Sequence, residues 1–392
     1  MDEKEAWIAL NAIPNVGSIT FQRLLSKFGS ASAIFSSSCE DITKLAGLNP
    51  KVAENIKKFD VSFFLKNELS LINRYKVEII LAKDSNYPGL LKEIYSYPLV
   101  LYIRGHLNPH PTTSIAIVGT RYPTGYGQNV AKKFGEELAK LKITVVSGLA
   151  KGIDTAAHLG TLCGGGYTIA VLGCGVNVAY PPENKNLMDQ IIEKGAIISE
   201  FAMSKPPEKR NFPIRNRVIS GLSIGTIVIE AASKSGSLIT ADYALDQGRE
   251  VFALPGNINS QNSQGTNSLI KQGAKLVTGI LDVLEEIAPQ MINNLMDKPF
   301  PERNDKTGIS QNNIEETVDS PTTQPFNHST AQLSFSNDEK IIYQTLREHP
   351  LHIDEITRKT SLPVGKVLGF LTTLELKGAV EQVTANHFVR KC

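Results

Sequence analysis

Two segments of this chain carry residue types at spacings suited to gripping a phosphate backbone. The first runs from Lys205 to Arg217. It sets five cations, Lys205, Lys209, Arg210, Arg215 and Arg217, against one anion, Glu208, with Phe212, Asn211 and Asn216 interleaved. A single nucleic-acid strand needs that mixture: cations along its backbone and a flat ring under a base. A merely solvated charge run is richer in Glu and lacks the Phe. The second is Ser235-Gly236-Ser237-Leu238-Ile239-Thr240, which follows the apolar run Ile224 to Ile229 and Glu230. Small hydroxyl residues around a glycine, opening a helix, form a nest of amides and hydroxyls for an anion. Pro255-Gly256 and Gly265-Thr266-Asn267 close the same rim.

Three further turns follow apolar runs. Gly119-Thr120-Arg121 leads to Gly125-Tyr126-Gly127, where glycine permits close backbone approach and Arg121 offers a forked donor. The alternative is a glycine turn that simply fits helix to strand. It is not G-x-G-x-x-G, and no acid ends the next run to hold a ribose, so a dinucleotide site is poorly supported. Ser147-Gly148-Leu149-Ala150-Lys151-Gly152-Ile153-Asp154 exposes amides at Ser147 and Gly148 and adds the Lys151 cation. Asp154 reads as a helix cap, and His158 lacks a third partner for a metal. Gly173-Cys174-Gly175 and Tyr180-Pro181-Pro182 make another tight loop, with Cys174 a small buried thiol. No Ser/His/Asp or Cys/His arrangement and no Walker A lysine accompany these turns, which predicts a phosphate-gripping surface without catalysis, cofactor or metal.

The elements that must position these turns are strands alternating with helices from 112 to about 288. Strands are expected at Ser114 to Val118, Ile143 to Val146, Tyr167 to Leu172, Ala196 to Ser199, Ile224 to Ile229 and Val251 to Ala253. Short continuous apolar runs between amphipathic helices predict a mostly parallel sheet covered on both faces, an extended, doubly wound Rossmann-like α/β fold. Such sheets bind ligands beyond the carboxyl ends of their strands, where the turns above lie. Residues 1–78 read as a helical domain of helix-hairpin-helix or SAM-like type, punctuated by Ile13-Pro14-Asn15-Val16-Gly17 and Leu45-Ala46-Gly47-Leu48-Asn49-Pro50. Its turns either face a phosphate or only close helical pairs. The Rossmann-like domain with its lead-in covers 79–288, a polar stretch at 289–335 reads as a flexible linker, and 336–392 reads as three helices and a hairpin, a winged-helix domain.

At 392 residues and a net charge of +2, two or three domains are expected, and any nucleic-acid site must be a local patch on a balanced surface. Cys39, Cys163, Cys174 and Cys392 are scattered, the start lacks a signal-peptide pattern, and no apolar run is long enough to span a membrane. A reducing cytoplasm is the expected compartment.

The ordered series Gly119-Thr120-Arg121, Ser147 to Asp154, Tyr180-Pro181, Phe212 to Arg217, Ser235 to Leu238 and Pro255-Gly256 closely resembles the DprA/Smf family. Tyr87-Pro88 and Pro98 to Gly105 resemble that family's lead-in, so the likeness covers roughly residues 84 to 288. The resemblance implies a single-stranded DNA-binding protein that forms homodimers through its Rossmann-like domain and loads the RecA recombinase in natural transformation. By motif it implies that Arg121 grips a phosphate, that Lys209 and Phe212 pair a cation with a stacking ring, and that Ser235, Gly236, Ser237 and Thr240 donate to the next phosphate. Gly119, Ser147, Gly148, Lys151, Arg215, Asn216 and Arg217 complete the expected DNA-binding set. Some relatives carry a basic residue directly after the Tyr-Pro; this chain has Pro182, and Lys185 is the candidate to take its place.

Two competing readings remain. Lysine-decarboxylase-like proteins, which cleave nucleoside monophosphates, bear a related glycine loop with a Glu soon after its Thr, whereas Thr240 here precedes Ala241-Asp242. A winged helix could instead read duplex DNA through its third helix, but that helix, Pro363 to Leu376, carries only Lys366 as a cation.

Overall fold

The computed structural model describes residues 1–107, 113–287, 337–346, 351–360, 362, 364–376, 379–384 and 387–390. They fall into two compact units divided at Arg303 and Asn304. The linker expected at 289–335 and the helix stop expected at Gly378 lie outside the described residues.

The first unit opens with six helices: α1 (Glu3–Ala12), α2 (Ser18–Phe28), α3 (Ala31–Ser36), α4 (Cys39–Ala46), α5 (Pro50–Lys58) and α6 (Val61–Arg74). Local chemistry sets their ends. Asp2 and Glu5 form a capping box on α1, while Ser30, Ser38, Asn49 and Asp60 cap α3 to α6 through their side chains.

The chain then builds a sheet from β1 (Glu78–Leu81), β2 (Val100–Gly105), β3 (Ser114–Val118), β4 (Thr144–Ser147), β5 (Thr168–Val171), β6 (Ala196–Ser199), β7 (Gly225–Val228), β8 (Glu250–Ala253) and β9 (Lys275–Leu276). The helices among them are α7 (Gly89–Lys92), α8 (Gly125–Lys140), α9 (Ile153–Cys163), α10 (Lys185–Lys194), α11 (Asn211–Gly221), α12 (Gly236–Asp246), α13 (Gln264–Lys271) and α14 (Ile280–Ile287). Strand order is β1-β2-β6-β5-β4-β3-β7-β8-β9. From β6 to β9 all neighbours are parallel, and β2 then β1 extend the β6 edge antiparallel. The lead-in expected before the Rossmann-like domain is therefore part of the same sheet.

The doubly wound fold follows from how the strands divide their side chains. Ile115 and Ile117 of β3, Val145 of β4 and Ile227 of β7 enter one core with Phe134 of α8 and Ala157 of α9. Ala116, Val118, Val146 and Val228 enter the other. Every residue of these strands is buried, so a period of two is masked in sequence by an unbroken apolar run. The second core also takes in Trp7, Leu10 and Phe21 from the N-terminal helices, making them continuous with the sheet.

The second unit has α15 (Asn337–Thr345), β10 (Leu351–His352), α16 (Ile353–Thr360), α17 (Val364–Leu376), β11 (Val380–Thr384) and β12 (His387–Arg390), with strand order β10-β12-β11. Ile342, Ile356, Val367, Leu371 and Leu374 fill its own core, giving the winged-helix arrangement of three helices and a hairpin.

Candidate nucleic-acid interface

Strand order reverses at β3, whose following strand β4 lies on one side while β7 lies on the other. At such a reversal the loops leave in opposite directions and open a crevice at the strand ends. Here it is a groove of about 660 Å³ walled by Gly119, Arg121, Asp154, Lys209, Phe212, Arg215, Asn216, Ser235, Gly236, Ser237 and Thr240, among others. A cavity of about 220 Å³ shares Arg121, Tyr122, Ala150, Tyr180, Phe212 and Arg215 with it and adds Gly148, Lys151 and Cys174.

The turn after β3 is stitched to its neighbours before it presents Arg121. Thr120 N–H donates to Glu230 O at 2.7 Å, and Ile153 N–H donates to Thr120 O at 3.2 Å. A Cβ on Gly119 would stand 2.6 Å from Ile153 Cγ1 and 2.9 Å from Glu230 O, so only glycine fits. Glu230 is buried and accepts from Thr124 N–H at 2.9 Å and Thr124 Oγ1–H at 2.6 Å. Asn262 donates to Tyr122 O at 2.9 Å. The backbone of the turn is thus fixed while Arg121 and Tyr122 project into solvent, the latter 82% exposed.

Helix α11 supplies the aromatic wall. Phe212, Arg215, Asn216 and Ile219 recur at helical spacing and face the groove together. The half-buried Phe212 ring has the Arg121 guanidinium 5.5 Å from its centroid, that of Arg215 at 6.0 Å and the Tyr180 ring at 5.5 Å. Asn216 Nδ2–H donates to Gly236 O at 3.1 Å, tying α11 to α12. Ser235 caps α12, its hydroxyl 2.8 Å from that of Ser237, and presents the helix start to the groove.

Beneath the groove, Arg215 donates to Gly148 O at 2.7 Å and also to Val171 O. Asp154 accepts from Gly148 N–H at 3.1 Å and Ala150 N–H at 3.3 Å, so it anchors this loop ahead of α9. Burial pushes the Asp154 carboxyl up and the Arg215 guanidinium down, each opposed by the other's charge. A Cβ on Gly148 would meet Arg215 Nη1 at 2.2 Å, which is why a glycine stands there. His158 is fully buried against Thr168 Oγ1 at 2.7 Å, and burial pulls its pKa down to about 3. Among the described residues no group of three His, Cys, Asp or Glu side chains could hold a metal ion.

The expected site residues divide accordingly. Gly119, Arg121, Lys209, Phe212, Arg215, Asn216, Ser235, Gly236, Ser237 and Thr240 share the groove, and Gly148 and Lys151 line the adjoining cavity. Ser147, Lys185 and Arg217 line neither. Ser147 is fully buried and donates to Ile117 O at 2.6 Å. Lys185 is exposed at the start of α10. Arg217, five residues after Phe212, leaves the groove-facing stripe and pairs with Glu200 at 2.5 Å.

The cationic run also reads differently in three dimensions. Glu208 pairs with Lys205 at 3.0 Å and with Arg210 at 2.6 Å, and hydrogen bonds from these two, helped by their charges, hold its carboxyl below the usual range. Arg215 and Arg217 are buried. Of the five cations, Lys209 is the exposed one that lines the groove with no ion pair among the described residues. Lys151 pairs with Glu183 at 2.5 Å. Tyr122, Tyr180, Glu230 and Asn262 were not singled out as site residues from sequence. Tyr180 carried a signal in its Tyr180-Pro181 turn, and Tyr122 as an aromatic beside the turn's arginine.

Comparison with known proteins agrees with this architecture. A family model described as DNA recombination-mediator protein A matches residues 78–288, and one for the DprA winged helix domain matches 324–386. Protein Smf of Synechocystis sp. is 33% identical over 99% of both chains. DNA processing protein DprA of Streptococcus pneumoniae is 46% identical over 52% of this chain and 72% of that one. The X-ray structure of DprA from Streptococcus pneumoniae, 36% identical, matches with a TM-score of 0.63 over 73% of this chain and 98% of that one.

Proposed function

Because the chain belongs to the DprA/Smf family of DNA recombination-mediator proteins, we propose that it binds single-stranded DNA along the groove at the ends of β3 and β7. It then hands the strand to the RecA recombinase in transformation and recombination. The convergence of Arg121, Lys209, Phe212 and the Ser235–Thr240 helix start on one groove supports this reading. Arg121 forks onto one phosphate, Lys209 neutralises another, and the donors at the start of α12 take a third. Phe212 offers its ring to a base without reading its edges, so the strand is held with little sequence preference. A duplex keeps its bases stacked inside and cannot use the ring. The role is one of binding in the cytoplasm, as a homodimer through the Rossmann-like domain, with no bond made or broken.

A salt titration of affinity for oligo-dT and for a duplex of equal length tests the proposal. Tighter, salt-sensitive binding of the single strand, weakened by Arg121→Ala, is expected. Equal affinity for the duplex, or an Arg121→Ala protein that binds as wild type at every salt concentration, would refute it.

A further inference from the structure

The N-terminal helices contribute no side chain to the groove, yet they hold the segment that leads into its aromatic wall. Glu200 to Met203 follows β6 and leads, through Lys205 to Arg210, into α11 and Phe212. Two helices tie this segment down. Asn11 of α1 donates its Nδ2–H to Glu200 O at 2.8 Å. Glu68 of α6, only 3% exposed, accepts from Met203 N–H at 2.8 Å. The Glu200 carboxylate in turn holds Arg217 of α11, whose Nη2 lies 3.5 Å from Ser18 Oγ at the start of α2. The groove face and the braced face are therefore two sides of one helix.

Packing alone is a poor account of Glu68. A buried carboxylate is a costly way to fill space, and an apolar side chain of similar volume would do so more cheaply. What the carboxylate adds is a directed acceptor that fixes one backbone N–H in position. From this geometry we propose that the N-terminal helical region is a positioning brace for the DNA groove. Through Glu68 and Asn11 it fixes Glu200–Met203 and so sets where the Phe212 ring stands. The inference rests on the single-strand reading above and assigns these helices a part in DNA binding without contact to DNA.

The test compares full-length wild type, Glu68→Ala, Glu68→Gln and Asn11→Ala for thermal midpoint and for affinity toward labelled oligo-dT. The comparison is repeated in a Phe212→Ala background. Glu68→Ala should weaken oligo-dT binding by at least about 2-fold and at most about 100-fold, the range of coupling for residues sharing one network. Glu68→Gln, which keeps an acceptor oxygen for Met203 N–H, should bind close to wild type. The effect of Glu68→Ala should vanish when Phe212 is absent, an outcome that general loss of stability does not produce. Should Glu68→Ala fail to fold, Asn11→Ala, at a half-buried position, carries the same comparison. Folded Glu68→Ala and Asn11→Ala proteins that bind oligo-dT as wild type, or a loss that persists in full without Phe212, overturn the brace. Wild type that fails to bind oligo-dT overturns the single-strand reading instead.

Discussion

The five cations between Lys205 and Arg217 differ in what they have left to give, and a salt titration separates them. Lys209 is exposed on the groove wall, whereas Lys205 and Arg210 already share Glu208. Each phosphate contact to a single strand contributes about 0.7 to the slope of log affinity against log salt. Between about 50 and 200 mM salt, a fourfold change, one such contact is therefore worth roughly 2.6-fold. Lys209→Ala should lower the slope by about 0.7, so its deficit relative to wild type shrinks by that factor across the titration. Lys205→Ala and Arg210→Ala should change the slope less, because removing either frees Glu208 to act on the cation that remains. The assay is fluorescence anisotropy with a labelled oligo-dT at four or more salt concentrations. Equal slope changes for all three variants would show that net charge alone governs binding. The assignment of Lys209 by position would then fail.

Three other outcomes follow from the geometry. Tyr122→Ala should weaken oligo-dT binding with the salt slope unchanged, and Tyr122→Phe should restore it, since an uncharged ring on a pinned backbone contributes about 1–3 kcal/mol per stacked base; wild-type affinity in the alanine variant would remove Tyr122 from the site. Arg217→Ala strands the largely buried Glu200 carboxylate and should lower stability by about 3 kcal/mol in denaturant unfolding, leaving the salt slope intact; a lost slope contribution in a folded variant would place Arg217 on DNA. His158 is drawn down by burial, and further by Arg215, from 6.5 to about 3, so between those values the unfolded chain binds the extra proton. Its contribution is therefore complete above about pH 6.5 and lost as pH falls toward 3, up to about 4–5 kcal/mol. His158→Gln should flatten stability against pH over that window, and an unchanged profile would contradict it.

The sequence alone determined the parallel sheet and its covering helices, because unbroken apolar runs of four to six residues between amphipathic segments have few other ways to be buried. It also implied that the turns after the strands lie along one edge, since a doubly wound sheet brings strand ends there, whereas the pairing of β3 with β7 came from the structure. β1, β2 and β9 were not separately legible. β9 has two residues, and β1 and β2 pair antiparallel across a loop whose sequence resembles no short hairpin.

What only the tertiary structure decided is which charges are available. Lys205, Lys209, Arg210, Arg215 and Arg217 look alike in one dimension. Their partners are set by helical phase and by distant groups: Glu200 for Arg217, the carbonyls of Gly148 and Val171 for Arg215. The same holds for Glu68 and Glu230, whose buried carboxylates meet backbone donors 135 and 106 residues away. Periodicity reports which face of an element is apolar, and it carries no information about which polar group from elsewhere in the chain will arrive opposite. That depends on the packing of whole elements, and it is there that a cation is either spent inside the protein or left for a phosphate.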